Sequence, residues 1–174
     1  MVEQLHQPQH HTKNKMVILK IDDIVIRPLV LNDLNEVKVI RDQCLSFIHD
    51  DKSYSLDETI DWFLKTLPHY LSVVYNNNVV GYFRLSKILS NTCYVGMDLH
   101  PNYRGKGIAL KTYNAIISEL TKYGFNTFYL NVLSSNTHAI RLYEYIGFKI
   151  ISNEGDINRQ NGDVVSNLLM VKKI

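Results

Sequence analysis

A glycine-rich turn constrains this chain more than any other segment. It separates a predicted strand, Thr92 to Leu99, from a predicted helix whose apolar residues recur at helical spacing. Gly105 and Gly107 let the backbone turn tightly and expose main-chain N–H groups. Because the first N–H groups of a helix lack partners within it and the helix dipole adds positive potential, the turn predicts a phosphate or pyrophosphate site. Arg104 and Lys106 add formal charge to this site.

The turn differs from the two best-known phosphate loops. A P-loop requires Gly-Lys followed by Ser or Thr at a fixed spacing, which this chain lacks. A dinucleotide fingerprint requires a third glycine where this chain has Leu110. What remains is the pattern Arg-x-x-Gly-x-Ala, formed by Arg104, Gly107 and Ala109. A glycine-rich turn with a purely structural role is the alternative interpretation.

Around this turn, hydrophobic periodicity predicts one α+β domain. Strands are predicted at 24–29, 71–75, 79–85, 92–99, 127–132, 148–152 and 164–172. Helices are predicted from 32 or 33 to about 42, from 55 or 57 to 67 before Pro68, from about 109 to 123, and from 135 or 136 to 146. Asn76-Asn77-Asn78 predicts a tight hairpin because asparagine tolerates positive φ. Antiparallel runs mixed with crossover helices favour an α+β sheet over a regular doubly wound one.

Composition narrows the possible function classes. The chain has 174 residues, of which 45% are apolar and 21% charged, so it is typical of one globular domain and not of a fibrous or membrane-spanning protein. With 19 Lys and Arg against 17 Asp and Glu, its charge is too balanced for a dedicated nucleic-acid binder. Cys44 and Cys93 make no disulfide framework, and no targeting signal or membrane span is visible. We therefore expect a cytoplasmic protein.

The first fifteen residues are polar and carry His6, His10 and His11. Such a tract can bind metal, but incidental histidines in a disordered tail are the simpler interpretation, so no metal site is predicted. We expect residues 1–15 to form that tail and residues 16–174 to form a single domain.

A second motif follows the predicted strand 127–132. Asn136, Ala139, Tyr143, Gly147 and Phe148 fit the pattern N-x-x-A-x-x-x-Y-x-x-x-G-F in register. Together with Arg-x-x-Gly-x-Ala at the earlier strand-to-helix junction, this motif resembles the signatures of the GNAT superfamily of acetyl-CoA-dependent N-acetyltransferases. Looser patterns occur at Ile26 to Leu29, Arg41-Asp42, Trp62-Phe63, Val95 to Pro101, and Glu154-Gly155 with Arg159, Gly162 and Met170. These patterns resemble the subgroup that contains ribosomal-protein N-terminal acetyltransferases and acetyltransferases of nucleotide-linked amino sugars.

The resemblance implies the GNAT fold, a mixed and mostly antiparallel sheet of about six or seven strands flanked by about four helices. The strands 92–99 and 127–132 are expected to splay apart, with the pantetheine arm of acetyl-CoA in the gap. Backbone groups near the end of the first strand are expected to pair with that arm, and the amides of the turn to hold the pyrophosphate. The residues that the resemblance assigns to acetyl-CoA are Leu99, Arg104, Gly105, Lys106, Gly107, Ile108, Ala109, Asn136 and Tyr143.

By the same resemblance, Tyr143 protonates the thiolate that leaves. A thiol with a pKa near 8.5 and a phenol near 10 differ by about 1.5 units, so this transfer costs only about 2 kcal/mol. A backbone N–H at a break in the strand Met97–Leu99 is expected to polarise the thioester carbonyl. Many relatives carry Glu where this chain has Asn131, which cannot accept a proton at neutral pH. Asp98 is predicted to be catalytic with Tyr143, and the other candidate bases are His100, His138 and Glu154.

The segment from Arg41 to Tyr54 lies where the family builds its acceptor pocket. Tyr54, Tyr82 and Arg84 are predicted to hold a sugar or nucleotide, and packing in the core and at its rim is the alternative. A lysine-like amine costs roughly 4.6 kcal/mol to deprotonate at pH 7, whereas an α-amine costs about 1 kcal/mol, so an acceptor amine of low pKa is favoured.

The leading hypothesis for the acceptor is a small-molecule amine, a nucleotide-linked amino sugar of the 4-amino-4,6-dideoxyhexose type. The alternatives are the N-terminus of a protein, as for ribosomal-protein acetyltransferases, and a non-catalytic module that only binds acetyl-CoA. For the oligomeric state, the sequence is compatible with a homodimer as well as with a monomer.

Overall fold

The computed structural model describes residues 18–66 and 69–174, and within them eight strands form one sheet. The strands are β1 (Leu19–Ile21), β2 (Ile24–Pro28), β3 (Tyr70–Tyr75), β4 (Asn78–Leu89), β5 (Thr92–Leu99), β6 (Thr127–Leu133), β7 (Lys149–Asn158) and β8 (Val164–Lys173). The α-helices are α1 (Leu34–Gln43), α2 (Leu56–Thr66), α3 (Ile108–Lys122) and α4 (Thr137–Ile146). The strands lie in the order β1, β2, β3, β4, β5, β6, β8, β7; β5 and β6 are parallel and the other pairs antiparallel.

This arrangement confirms the mixed, mostly antiparallel sheet and the four helices expected from the sequence. The prediction lacks β1 because its three residues, with the exposed Lys20 in the middle, are too few to show a pattern. It also ends β7 at 152, whereas bulges carry this strand through turn-like residues to Asn158. The tail 1–15 and the expected helix end at Leu67 and Pro68 lie outside the described residues.

The hairpin between β3 and β4 turns as its asparagines predict. Asn76 and Asn77 have φ angles of 48° and 64°, both in the left-handed region. Two consecutive residues with positive φ are typical of a type I′ turn, whose twist matches that of the flanking strands. Together with a register shift between Val73 and Val74, this turn sets the register of β4, which carries the predicted acceptor residues Tyr82 and Arg84.

The sheet opens between β5 and β6. In the described part of the chain these two strands pair over three positions, from Thr92–Tyr94 to Thr127–Tyr129. Beyond that point β5 stays paired with β4 as far as Leu99, while β6 stays paired with β8 as far as Leu133. The strands therefore diverge and leave a gap within the sheet, as the family resemblance implies.

Helices cover both faces of the sheet, and each face has its own core. On the face of α3 and α4 the most deeply buried side chains include Tyr113, Phe83 and Phe128. Since successive strand residues point to opposite faces, Tyr82 joins the smaller core under α1 and α2 instead. The other buried members of that smaller core are Leu29, Leu34, Val37, Ile40, Cys44 and Phe63. Within the described residues, no helix is both long enough and apolar enough to cross a bilayer.

A buried carboxylate ties α1 to the sheet. Asp33, immediately before α1, is 4% exposed and accepts hydrogen bonds from Arg27 on β2 at 2.6 and 2.8 Å. Ser72 Oγ donates to it at 2.7 Å and the Val30 amide at 3.1 Å. Burial raises the pKa of this carboxyl, but the donors outweigh burial and hold the pKa below its ordinary value. The folded state therefore favours the ionised form of Asp33.

We expect Asp33→Asn to lower the free energy of unfolding at neutral pH by about 2 kcal/mol, because Arg27 loses its charged partner. A depressed folded-state pKa contributes stability above the unfolded-state value, and this contribution is lost as the pH falls through the folded-state value. Urea unfolding at a series of pH values should thus show a smaller loss of stability on acidification in this variant. Asp57→Asn, at an exposed position, is the control, and identical acid dependence in all three proteins would contradict the role of Asp33.

Candidate active site

The glycine turn leads from the end of β5 into α3 and leaves its amides open. Gly105 and Gly107 have φ angles of 73° and 76°, a region that residues with a Cβ rarely adopt. A Cβ atom added at either glycine would meet no heavy atom within 4 Å, so the space beside both is free. Gly107 is the N-cap of α3 and has no side chain to bond the amides that follow. The turn therefore presents the N-terminus of a 15-residue helix to open space, which suits an anion.

The two cations of the turn point in different directions. Arg104 turns back toward β5, where its Nε donates to the Leu99 carbonyl at 3.2 Å and its Nη2 lies 3.3 Å from Cys44 Sγ. Lys106 is exposed, with its Nζ 5.1 Å from the centre of the Tyr103 ring. Arg104 thus braces the turn against β5 and the end of α1, and Lys106 is the cation that stays at the turn itself.

Main-chain groups of β5 line one side of the gap. The His100 amide donates to the Val80 carbonyl on β4 at 2.9 Å, and the pairing of β5 with β4 keeps its register over residues 94–99. Since the polar groups of a strand alternate in direction, those of Met97 and Leu99 point away from β4 and toward the gap. This edge of β5 is suited to pairing with an extended chain that carries amides.

The prediction of a break in the strand at Met97–Leu99 is wrong. The ladder between β4 and β5 is regular there, and its irregularity lies at the other end, between Ser86 and Leu89. The irregularity has a local cause there, because Lys87 and Ser90 have positive φ angles and bend the hairpin near its turn. An amide available to a carbonyl in the gap therefore belongs to a regular strand edge.

Tyr143 projects from α4 into the interior and is 8% exposed. Its hydroxyl lies 3.4 Å from that of Tyr113 on α3, and the two rings meet edge to face. Asn136 Oδ1 accepts from the Ala139 amide at 3.3 Å, so Asn136 fixes where α4 begins, two turns before Tyr143. Burial raises the pKa of Tyr143 and outweighs the opposing hydrogen bond from Tyr113. The phenol is therefore protonated at neutral pH and can donate a proton.

Asp98 and Arg84 form an ion pair across neighbouring strands. Asp98 is 6% exposed, and Arg84 Nη1 donates to its Oδ2. The guanidinium also lies 5.7 Å from the centre of the Tyr82 ring. Although burial opposes its charge, Asp98 keeps the pKa of Arg84 above its ordinary value. The structure thus joins a predicted catalytic residue to a predicted acceptor residue, and Arg84 occupies one of the two carboxylate oxygens of Asp98.

The remaining candidate bases lie in three different places. His100 caps a short 3-10 turn after β5, where its Nδ1 accepts from the Asn102 amide at 3.2 Å. His138 is exposed in the first turn of α4, and Glu154 is exposed on β7 and accepts from Ser152 Oγ. Across residues 18–66 and 69–174, no three His, Cys, Asp or Glu side chains converge as metal ligands would.

A cavity of about 590 Å³ lies between α1, α2 and β4. It brings together the three predicted acceptor residues, Tyr54, Tyr82 and Arg84. The other lining residues come mainly from α1 and α2 and are Val37, Lys38, Arg41, Asp50, Glu58, Thr59, Asp61, Trp62, Lys65, Thr66 and Tyr70. Most of the charged lining residues are not recognisable from the sequence, because a charged position on an amphipathic helix has the same pattern whether it faces solvent or a cavity.

The split sheet and the open helix N-terminus beside it are the features expected of an acetyltransferase. The chain belongs to the Acetyltransferase (GNAT) family, whose model matches residues 34–148. This match confirms the resemblance seen in the two sequence motifs.

The individual relatives match only part of the chain. Ribosomal protein bS18-alanine N-acetyltransferase of Haemophilus ducreyi is 29% identical over 85 residues, which are 48% of this chain and 59% of that protein. Spermine/spermidine N(1)-acetyltransferase of Bacillus subtilis is 40% identical over 57 residues, 32% of this chain and 37% of that protein. The chain thus spans 59% or less of the length of these two relatives. The solved structure of yncA from Salmonella typhimurium with its cofactor acetyl-CoA shares the fold, with a TM-score of 0.73 and 21% identity over 87% of this chain and 94% of that one.

Gly107→Glu should weaken the binding of acetyl-CoA, the predicted ligand of the turn, by about tenfold or more, because it puts bulk and negative charge at the helix N-terminus. Gly107→Ala separates the effect of backbone strain from that of charge. The matched control is Gly124→Glu, at the other end of α3, where φ is 92° and the space is equally free. Isothermal titration calorimetry gives the three affinities. Similar losses in Gly107→Glu and Gly124→Glu would mean that the phosphates bind elsewhere.

Proposed function

We propose that this chain transfers the acetyl group of acetyl-CoA to a primary amine by direct attack. The observation that carries the proposal is the combination of an open helix N-terminus at Gly107, a polar strand edge at the split, and the buried phenol of Tyr143. These features supply an anion site, a partner for an extended arm and a proton donor.

The residues of the turn and of β5 hold the cosubstrate in this proposal. Acetyl-CoA supplies a thioester whose carbonyl carbon accepts the amine and whose sulfur leaves as a thiolate. The amides from Gly105 to Ala109, with Lys106, bind its pyrophosphate. The main-chain groups of Met97 and the amide of Leu99 pair with the pantetheine arm as an added strand would, while the Leu99 carbonyl accepts from Arg104. Arg104 supports this binding indirectly, because its guanidinium braces the turn.

Tyr143 donates its proton to the departing thiolate. With a thiol near pKa 8.5 and a phenol of at least about 10, the transfer is uphill by roughly 2 kcal/mol or somewhat more, which is small beside an enzymic barrier. Because burial raises the pKa of Tyr143, the phenol keeps its proton through the mildly alkaline range. The contact with the Tyr113 hydroxyl at 3.4 Å keeps the donor oriented.

The placement of the candidate bases favours an amine that is easily deprotonated. Asn131 cannot accept a proton, Arg84 occupies one oxygen of Asp98, and His100 uses its Nδ1 as a cap. His138 and Glu154 are both exposed at the surface. An amine with a pKa near 7.8 costs about 1 kcal/mol to deprotonate at neutral pH, against roughly 4.6 kcal/mol for a lysine-like amine. Water then suffices to relay the proton.

For the acceptor we propose a nucleotide-linked amino sugar of the 4-amino-4,6-dideoxyhexose type. The cavity of about 590 Å³ has the size of a small-molecule site. The rings of Tyr54, Trp62 and Tyr82 line it, and Arg84 has N–H groups beyond the one it gives to Asp98. Rings of this kind stack on sugars and bases, and a guanidinium pairs with phosphate.

The N-terminus of a protein is the second candidate acceptor. An α-amine also meets the requirement for a low pKa. The name of the Haemophilus ducreyi relative, an alanine N-acetyltransferase, supports this candidate as much as the cavity supports the first.

A panel of amines should separate these acceptors by the release of thiol from acetyl-CoA. We expect the highest kcat/KM for a nucleoside-diphosphate-linked 4-amino-4,6-dideoxyhexose. A peptide with an N-terminal alanine as the best acceptor would support the second candidate instead. Strong preference for spermidine would contradict the inference of a low acceptor pKa. Acetyl-CoA binding without any turnover would indicate a non-catalytic module.

Tyr143→Phe should lower kcat by about two orders of magnitude and leave the affinity for acetyl-CoA within about twofold, because only the proton donor is lost. Tyr145→Phe is the matched control, since Tyr145 follows two residues later on the same helix and is 79% exposed. In the unaltered chain, ionisation of Tyr143 should not lower kcat below about pH 10. Loss of binding with unchanged kcat would contradict the assigned role.

A further inference from the structure

Residues 44–55, here called the α1–α2 segment, connect the first two helices and supply Asp50 and Tyr54 to the cavity wall. The segment begins as a short 3-10 turn, Leu45–Phe47, and then continues without regular structure to α2. Carbonyls outside helices and strands need donors from other parts of the chain. The shape of this wall therefore depends on side chains that reach it from elsewhere.

Arg159 reaches the α1–α2 segment from the tip of the β7–β8 hairpin. Its side chain is buried, although the three residues that follow it are exposed. Its Nη1 donates to the carbonyls of Ile48 and His49 at 2.5 and 3.2 Å, and its Nη2 donates to the carbonyl of Leu45 at 2.5 Å. One guanidinium thus binds three carbonyls at once through the planar fork of its N–H groups.

Two further contacts join the same parts of the chain. Asp51 Oδ2 lies 3.4 Å from Arg159 Nε and accepts from the Gln160 amide at 2.9 Å. His49 Nε2 lies 2.7 Å from Asn167 Oδ1 on β8. The hairpin therefore holds the segment along residues 45–51.

Arg41 holds the other end of the segment from within α1. Its guanidinium donates to the carbonyls of Lys52 and Asp50 at 2.5 and 2.8 Å and lies 4.8 Å from the centre of the Tyr54 ring. The Tyr54 hydroxyl donates to Asp50 Oδ2 at 2.6 Å. The cavity wall is thus fixed between one neighbouring arginine and a second that is remote in sequence.

We propose that Arg159 is a positioning residue for the acceptor. By holding residues 45–51 it sets where Asp50 and Tyr54 stand and so determines which acceptors fit. The inference rests on the proposed function, because it takes the cavity as the acceptor site.

The hydrogen bonds of the Arg159 side chain end on the carbonyls of Leu45, Ile48 and His49. The acetyl-CoA turn meets the same segment elsewhere, because Arg104 lies 3.3 Å from Cys44 Sγ and 5.6 Å from the centre of the Phe47 ring. Because none of the three carbonyls bound by Arg159 contacts the turn, we expect a change at Arg159 to act more strongly on the acceptor than on acetyl-CoA.

Steady-state kinetics of Arg159→Met and Arg159→Lys test this role, with the acceptor that performs best in the panel above. We expect the acceptor KM to rise by about tenfold in Arg159→Met and less in Arg159→Lys, which keeps the charge but loses the fork. The KM for acetyl-CoA and kcat should stay within about twofold. Amide hydrogen exchange should accelerate in residues 45–54 and stay unchanged in α3. Lys149→Ala, at an exposed position where the same hairpin begins, is the control.

An unchanged acceptor KM, or equal rises in both KM values, would overturn the proposal, since the first denies any positioning and the second indicates a general defect. If Arg159→Met does not fold, Arg159→Lys and Asp51→Asn decide by the same readouts. Turnover by the unaltered chain distinguishes failure of the proposed function from failure of the proposed role of Arg159. Failure of that chain to turn over any acceptor would count against the proposed function, and Arg159 would then be judged by hydrogen exchange and by calorimetric binding of the amino sugar.

Discussion

The divergence of β5 and β6 is the constraint on which the rest of the structure depends. A sheet satisfies its main-chain groups through neighbouring strands, and beyond Tyr94 and Tyr129 these two strands no longer pair. Each keeps an outer partner, β4 or β8, so the sheet stays intact on both sides of the split. The split creates polar edges inside the domain, where an extended chain with amides can bind. Because α3 begins shortly after β5, its open N-terminus at Gly107 lies beside the same split.

Charge pairs hold the layer that faces the cavity. Asp33 with Arg27 fixes the start of α1, and Asp98 with Arg84 lies beneath the cavity. Such pairs add little net stability compared with apolar side chains, but the loss of one partner leaves a buried charge alone. Their geometry is therefore specified strictly, and the pair of Asp98 with Arg84 fixes the floor of the cavity.

Sequence patterns predicted the features that depend on local backbone geometry. Positive φ is required at Gly107 and Asn76, and because few residue types adopt it, both turns were visible in the sequence. Periodicity predicted the order of helices and strands for the same local reason. Partners that the fold brings together were not visible, as for Arg84 with Asp98 across a hairpin and Arg159 with the α1–α2 segment. The break expected at Met97–Leu99 came from family resemblance alone, and the positive-φ residues of that hairpin moved the irregularity elsewhere.

The bond from Arg159 to Leu45 joins positions 114 apart in the sequence. At translation rates of roughly 5–20 residues per second, a nascent chain carries the α1–α2 segment for on the order of ten seconds before the hairpin that anchors it has been synthesised. During that interval the carbonyls of Leu45, Ile48 and His49 lack the donor that they have in the folded protein. A residue that is synthesised later therefore completes a wall that an earlier segment began.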